Sequence, residues 1–122
     1  MTHNDPLFHF SAPWFELGVV TPAQLQGFRK EWSEGDDHSP EHYRWRAFTA
    51  FLDERRPLAP DTVAALYSLG AADVDRAMGE AMMHRLVELP ECPEHVVSAA
   101  ESSGVPHLTK AAARHRATIK SS

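Results

Sequence analysis

The sequence of 122 residues predicts an all-α fold made of paired helices. Proline recurs at positions where a helix would begin, and its fixed φ and missing N–H suit the first helical residue. Apolar residues then follow at helical spacing. A hydrophobic content of 43% and a charged content of 24% are typical of a globular chain, so we predict one domain over residues 1–122.

The first predicted helix pair spans residues 21–57 and is rich in aromatic residues. Thr21 and Gln24 have the spacing of a capping box, and Gly35 ends the helix that they open. Ser39-Pro40 opens a second helix, which ends before Pro57. Because the loop between the two helices is short, we expect them to pack antiparallel. The predicted apolar stripes are Leu25, Phe28 and Trp32, then Tyr43, Ala47, Phe48, Phe51 and Leu52.

Two more helix pairs are predicted within residues 58–118, which brings the total to six helices in three antiparallel pairs. Their helices are expected to begin at Pro60, Asp73, Pro93 and Pro106. Gly70 is interpreted as a left-handed C-terminal stop for the first of them. Residues 119–122 are predicted to form a flexible tail.

The last two pairs look like copies of one unit, because Pro60 and Pro93 lie 33 residues apart and Arg76 and Lys110 lie 34 apart. Segments 72–77 and 104–113 resemble the entry into the second helix of HEAT-type repeats. This resemblance covers about residues 58–118 and implies a stacked helical scaffold with a binding role, without any catalytic residue. Since about three stacked repeats are normally needed for stability, an irregular helical bundle is the alternative to a short α-solenoid.

Residues 1–20 have no helical period and are predicted to form an extended apolar arm. The apolar content of this segment is too high for a solvated tail, so we expect the arm to pack over the first helix pair as a cap. The alternative is an exposed docking patch that includes Phe8, Trp14 and Phe15. An arm exchanged between two copies of the chain is a third interpretation.

The charge distribution and the absence of long apolar stretches limit the function classes. A net charge of −5 argues against general binding to polyanions, although residues 1–40 are acidic and residues 105–122 are basic. No apolar stretch approaches the length of a membrane span, and the N-terminus has no basic region typical of a secretory signal. We therefore expect a cytoplasmic protein that makes no membrane contact.

The residues that could carry chemistry form no recognisable catalytic motif. His38 and His42 lie beside Asp36, Asp37 and Glu41 and are weak metal candidates, because the sequence marks no distant third ligand. Cys92 is interpreted as structural rather than nucleophilic. The four remaining C-terminal histidines are assigned to surface or groove-lining positions: His84, His95, His107 and His115. No cofactor is predicted.

These observations favour a small non-enzymatic interaction or adaptor protein that binds a protein partner through a helical surface. The candidate contacts are Arg76, Lys110, Arg114 and Arg116, with Phe8, Trp14 and Phe15 from the N-terminal arm. An acidic protein partner or a second copy in a homodimer would fit this surface. One alternative is a nucleic-acid-associated protein that uses the basic C-terminal helix, and a second is a metal-dependent enzyme at His38 and His42.

Overall fold

The computed structural model describes residues 5–35 and 38–121, and the predicted all-α class is confirmed. No β-strand occurs in these two ranges, although an isolated bridge joins Asp5 and Phe10. The helices in chain order are α1 (Ala12–Glu16), α2 (Pro22–Ser33), α3 (Pro40–Arg55), α4 (Pro60–Ala71), α5 (Arg76–Val87), α6 (Glu94–Glu101) and α7 (Pro106–Ser121). Within the described chain, none of these helices combines the length and the apolar character that crossing a bilayer requires.

The proline signals place most helix starts correctly. Pro22, Pro40, Pro60 and Pro106 are each the first residue of a helix. The predicted capping box is confirmed, because the Gln24 amide donates to Thr21 Oγ1 (3.1 Å) while the Thr21 amide donates to Gln24 Oε1 (2.9 Å).

Three predicted helix ends are wrong. Asp75, not Asp73, caps α5: its Oδ1 accepts from the Met78 amide at 2.8 Å, while Asp73 Oδ2 accepts from the Asp75 amide at 3.0 Å. Gly70 lies inside α4 rather than after it. The predicted flexible tail is also helical as far as Ser121, where α7 ends.

The chain divides into two compact units, which we call the N-terminal unit (Met1–Arg56) and the C-terminal unit (Pro57–Ser122). The sequence predicts that the aromatic helix pair ends at residue 57 and that the two repeat-like pairs begin at residue 58, in the same linker.

The N-terminal unit has an aromatic core to which residues 5–20 contribute directly. Phe10 stacks on Phe28 of α2, with ring centroids 6.2 Å apart, and Phe8 packs on Tyr43 of α3 at 4.3 Å. Trp14 of α1 meets the Phe10 ring edge-on at 5.2 Å. The extended shape predicted for the arm is wrong for residues 5–20, which fold into a tight turn followed by a short helix.

The turn that precedes α1 is held by buried polar side chains. The Asp5 carboxylate accepts from the Phe8 amide at 2.8 Å and from Arg29 Nη2 at 2.9 Å. Arg44, which is fully buried, donates to the Phe8 carbonyl at 2.8 Å. His9 completes the turn with a positive φ of 64°. These contacts fix the position of Phe8 and Phe10 in the core.

The C-terminal unit consists of α4 to α7 around an aliphatic core. Its most buried side chains include Leu66, Met82, Leu86, Val97, Leu108 and Ala112. Helices α4 and α5 approach closely where Gly70 and Gly79 meet, since a Cβ on Gly79 would overlap the Gly70 carbonyl oxygen. The absence of side chains at these two residues is what permits this approach.

The two helix pairs of the C-terminal unit differ in the lengths of their helices. Helix α4 has 12 residues and α6 has 8, while α5 has 12 and α7 has 16. Arg76 is the first residue of α5, whereas Lys110, its counterpart in the proposed repeat, is the fifth residue of α7. The internal repeat and the resemblance to HEAT units stay predictions.

Candidate binding groove

A groove of about 480 Å³ opens on the C-terminal unit where the chain leaves α5 and meets one face of α7. The turn after α5 contributes Glu88 and Pro90, and α7 contributes Ala111, Arg114, His115, Thr118 and Ile119. The five α7 residues recur at helical spacing, so they share one face of that helix. We call this site the α5–α7 groove.

The α5–α7 groove has an apolar surface. Ile119 is 57% exposed, and Pro90, which also lines the groove, is exposed. The Thr118 hydroxyl donates to the Arg114 carbonyl (2.9 Å), so its hydrogen is already used within α7. An exposed branched side chain in a concave site is typical of a binding surface rather than of a folded core.

The charged side chains around the groove differ in whether a group that can carry the opposite charge lies beside them. Glu88 lies beside His84, with Oε1 3.3 Å from His84 Nδ1, and this contact is an ion pair only when the imidazole is protonated. Arg114 lines the groove and Lys110 lies one turn before it on α7, and both are exposed. Within the described part of the chain, neither of these two cations forms an ion pair, so both are available to an acidic ligand.

His115 is the most buried polar residue of the groove. It is only 8% exposed, and its Nδ1 lies 3.0 Å from the Val87 carbonyl oxygen. Because a carbonyl oxygen can only accept, Nδ1 must carry a hydrogen and donate. This bond ties the middle of α7 to the last residue of α5 and fixes the ring in the groove wall.

Arg116, predicted as a partner contact, is instead committed to a network between α6 and α7, which we call the Arg116 clamp. Its guanidinium donates to Glu101 Oε1 and Oε2 (both 2.7 Å) and to Glu94 (2.8 and 2.9 Å). These hydrogen bonds lower the pKa values of Glu94 and Glu101 and raise the pKa of Arg116. The charge of Arg116 is therefore satisfied within the chain.

Arg76 lies at a different place from the other predicted cations. It is exposed at the start of α5, with Nε 3.4 Å from Glu80 Oε1. It lines a separate groove of about 400 Å³ with residues such as Tyr67 and Val105. Arg76 and Arg114 therefore do not line a common groove.

The aromatic residues predicted as partner contacts are mostly internal. Phe8 and Trp14 are each 1% exposed, and Phe15 is half-buried with its ring 6.4 Å from that of Phe10. Phe8 and Trp14 are consequently core residues of the N-terminal unit, and the prediction that they contact a partner is wrong for this fold.

The two metal candidates, His38 and His42, lie side by side. The rings of His38 and His42 stack with centroids 3.8 Å apart. In the ranges 5–35 and 38–121, no cluster of three or more histidine, cysteine, aspartate or glutamate residues has a metal-binding arrangement. Asp36 and Asp37, which the sequence places beside these histidines, lie outside the described residues.

Cys92 is buried in the turn between α5 and α6. Burial, with a smaller contribution from the charge of Glu91, raises the pKa of its thiol to about 11. Its Sγ lies 3.8 Å from the Pro93 carbonyl oxygen. The thiol is therefore protonated at neutral pH, a state that does not favour nucleophilic chemistry.

The sequence pattern missed two contributors to the groove, Pro90 and Ile119. Ile119 belongs to the segment that the sequence predicts as a flexible tail, and no sequence signal marks Pro90 as part of a binding site. The signal that could have identified Ile119 is its position four residues after His115 and eight after Ala111, on the face that holds both. Comparison of the chain with protein-family models, with curated proteins and with solved structures gave no match.

Proposed function

We propose that the protein is a non-enzymatic interaction module whose α5–α7 groove binds an acidic segment of a partner protein. The observation that carries this proposal is the combination, in one groove, of the exposed Ile119 side chain with the uncompensated charge of Arg114. An apolar side chain of the partner would cover Ile119 and Pro90. A nearby carboxylate would pair with Arg114 or Lys110.

The charge balance favours a protein partner over a nucleic acid. The Arg116 clamp removes one of the three cations that the nucleic-acid hypothesis requires on α7. The described residues of the groove also include no Phe, Tyr or Trp ring on which a base could stack. The proposal retains the sequence-based expectations of a cytoplasmic location and of no bound cofactor.

Selection from a random peptide library displayed on phage tests the proposal directly. We expect the selected peptides to be enriched in Asp or Glu together with Leu, Ile, Val or Phe. Their affinity should fall about tenfold or more for Ile119→Asp and for Arg114→Ala, since each change removes one part of the recognition. Fluorescence anisotropy with labelled peptides measures both affinities.

Matched controls separate the groove from the rest of the surface. Val74→Asp changes an apolar side chain that is 72% exposed outside the groove, and Arg76→Ala removes an exposed cation outside it. Neither control should alter affinity. If the selected peptides lack acidic residues, or if the control variants weaken binding as much as the groove variants, the proposal is wrong.

Two other results would identify a different occupant. Duplex DNA that binds at low salt and is lost in Arg114→Ala would favour the nucleic-acid alternative over the peptide. A homodimer in analytical ultracentrifugation that dissociates in Ile119→Asp, and not in Val74→Asp, would assign the groove to a second copy of the chain.

A further inference from the structure

The second ring nitrogen of His115, Nε2, can accept a hydrogen bond from a ligand in the α5–α7 groove. The ring is 8% exposed, and its Nδ1–H is fixed on the Val87 carbonyl at 3.0 Å. With that hydrogen on Nδ1, the neutral imidazole has its lone pair on Nε2, which can only accept a hydrogen bond. No hydrogen bond joins Nε2 to any side chain or backbone group in the described part of the chain.

Among the described residues, Nε2 is not one of the fully buried polar atoms that lack a partner, so solvent reaches it in the free chain. A ligand that displaces this solvent without supplying a donor leaves the acceptor unpaired, so a ligand that supplies a donor gains an advantage. Two other side chains of the groove wall can also accept a hydrogen bond, the Thr118 hydroxyl and the Glu88 carboxylate, but both are exposed to solvent. His115 is the acceptor of the groove wall whose ring is both largely buried and held in one orientation by a hydrogen bond.

We propose that His115 Nε2 is a specificity-determining acceptor, which selects a partner segment that places a hydroxyl or amide donor in the groove. This inference rests on the proposed function and adds a requirement to it. The acidic segment carries Ser, Thr, Asn or Gln beside the apolar side chain that covers Ile119. Arg114 then forms an ion pair with the acidic side chain of the segment, and His115 accepts a hydrogen bond from its donor.

Two small probes of the same shape isolate the donor requirement. Isovaleramide and 4-methylpentan-2-one share an isobutyl group and a carbonyl, but only the amide has N–H donors. In titrations followed by ¹H–¹⁵N correlation spectra of the full chain, we expect the amide to bind about fivefold to tenfold more tightly than the ketone. The His115 Nε2 resonance should move with the amide and not with the ketone.

His115→Asn tests the residue while retaining its structural bond. The asparagine amide nitrogen is as many bonds from Cα as Nδ1 is, so it can still donate to the Val87 carbonyl, whereas the Nε2 acceptor is lost. We expect the preference for the amide over the ketone to disappear in this variant. His107→Asn, which changes an exposed histidine outside the groove, should keep the preference.

Three results would overturn the inference: equal affinity for the two probes, an unmoved Nε2 resonance in the wild-type chain, or a preference that survives His115→Asn. The Nε2 resonance is measured on the unmodified protein, so the test does not depend on the folding of a variant. If selected acidic peptides depend on Arg114 and Ile119 but bind His115→Asn normally, the proposed function stands and this inference fails. If no peptide depends on Arg114 or Ile119, the proposed function itself fails.

Discussion

Three buried polar side chains, distributed over both units, form hydrogen bonds with the backbone. Arg44 donates to the Phe8 carbonyl, Asp5 accepts from the Phe8 amide, and His115 donates to the Val87 carbonyl. Such bonds offset the cost of removing a polar group from water. They also join residues far apart in the chain, since Arg44 and Phe8 are separated by 36 positions.

The buried Cys92 thiol provides a prediction at the residue scale. With its pKa raised to about 11, the thiolate fraction at neutral pH is far below that of a free cysteine, whose pKa is about 8.5. We expect iodoacetamide to alkylate Cys92 at least about 100-fold more slowly in the folded chain than in the chain unfolded in urea. Mass spectrometry of quenched samples measures both rates, and comparable rates would show that the thiol is accessible and ionised.

At the scale of helices, the Gly70–Gly79 contact sets the distance between α4 and α5. The two backbones touch where neither residue has a Cβ, and Met82 packs beside them. The sequence marked Gly70 as a helix stop because glycine is common in that role. A glycine that permits close helix packing and a glycine that ends a helix cannot be distinguished from the local sequence. The distinction depends on whether a second helix packs against that glycine.

Substitution of Gly79 should therefore destabilise the fold even though alanine favours helices. We expect Gly79→Ala to lower the free energy of unfolding by about 1–3 kcal/mol, because its Cβ overlaps the Gly70 carbonyl. Gly27→Ala is the matched control: Gly27 lies within α2, and a Cβ there meets no atom within 4 Å. That change should raise stability by about 0.5–1 kcal/mol. Urea denaturation measures both, and a stabilised Gly79→Ala variant would contradict the close approach.

The Arg116 clamp makes the α6–α7 contact sensitive to acid. The lowered pKa values of Glu94 and Glu101 mean that the unfolded chain binds protons more readily than the folded one in the acidic range. The clamp makes its full contribution to the free energy of unfolding above the ordinary carboxyl pKa. This contribution is lost as the pH falls through the lowered pKa values of the two glutamates. Arg116→Met should thus reduce the thermal midpoint at neutral pH, with the difference from wild type closing below about pH 4.

Calorimetry across this pH range measures the effect of the clamp. Arg85→Met is a suitable control, because it removes an exposed cation of α5. A difference between wild type and Arg116→Met that stays constant from neutral to acidic pH would exclude a role for the two carboxylates.

For the whole molecule, local signals predicted the helices well and the contacts poorly. Proline and capping residues act through the backbone of their own segment, so Pro22, Pro40, Pro60 and Pro106 were sufficient to place four helix starts. Helix α1 was missed because its five residues are too few to show a period, and the tertiary contacts of Trp14 hold it in place.

The candidate site was predicted only in part, for a related reason. The sequence predicts that α7 and Arg114 belong to a binding surface, since charge and helical spacing are local properties, and in the structure Arg114 lines the α5–α7 groove. It also assigned Arg116 to that surface, because the carboxylates that neutralise Arg116 are 15 and 22 positions away. The groove depends on the turn after α5 meeting α7, and no pattern within either segment encodes that contact.

The N-terminal segment gives a prediction about the stability of the N-terminal unit. Phe10 is fully buried among the rings of Trp14 and Phe28, so Phe10→Ala should cost about 3–5 kcal/mol. Leu7→Ala, three residues earlier, changes a side chain that is 37% exposed and should cost less than about 0.5 kcal/mol. Urea denaturation followed by near-ultraviolet circular dichroism measures both, and similar costs would show that the segment is not part of the core.

The division of the chain at Arg56 also separates its natural spectroscopic and chemical labels. All three tryptophans, Trp14, Trp32 and Trp45, belong to the N-terminal unit, and the single cysteine, Cys92, belongs to the C-terminal unit. Tryptophan emission therefore follows the unfolding of one unit, while thiol labelling follows the other, in the same unmodified sample. The protein can report on the order in which its two halves lose structure without any engineered probe.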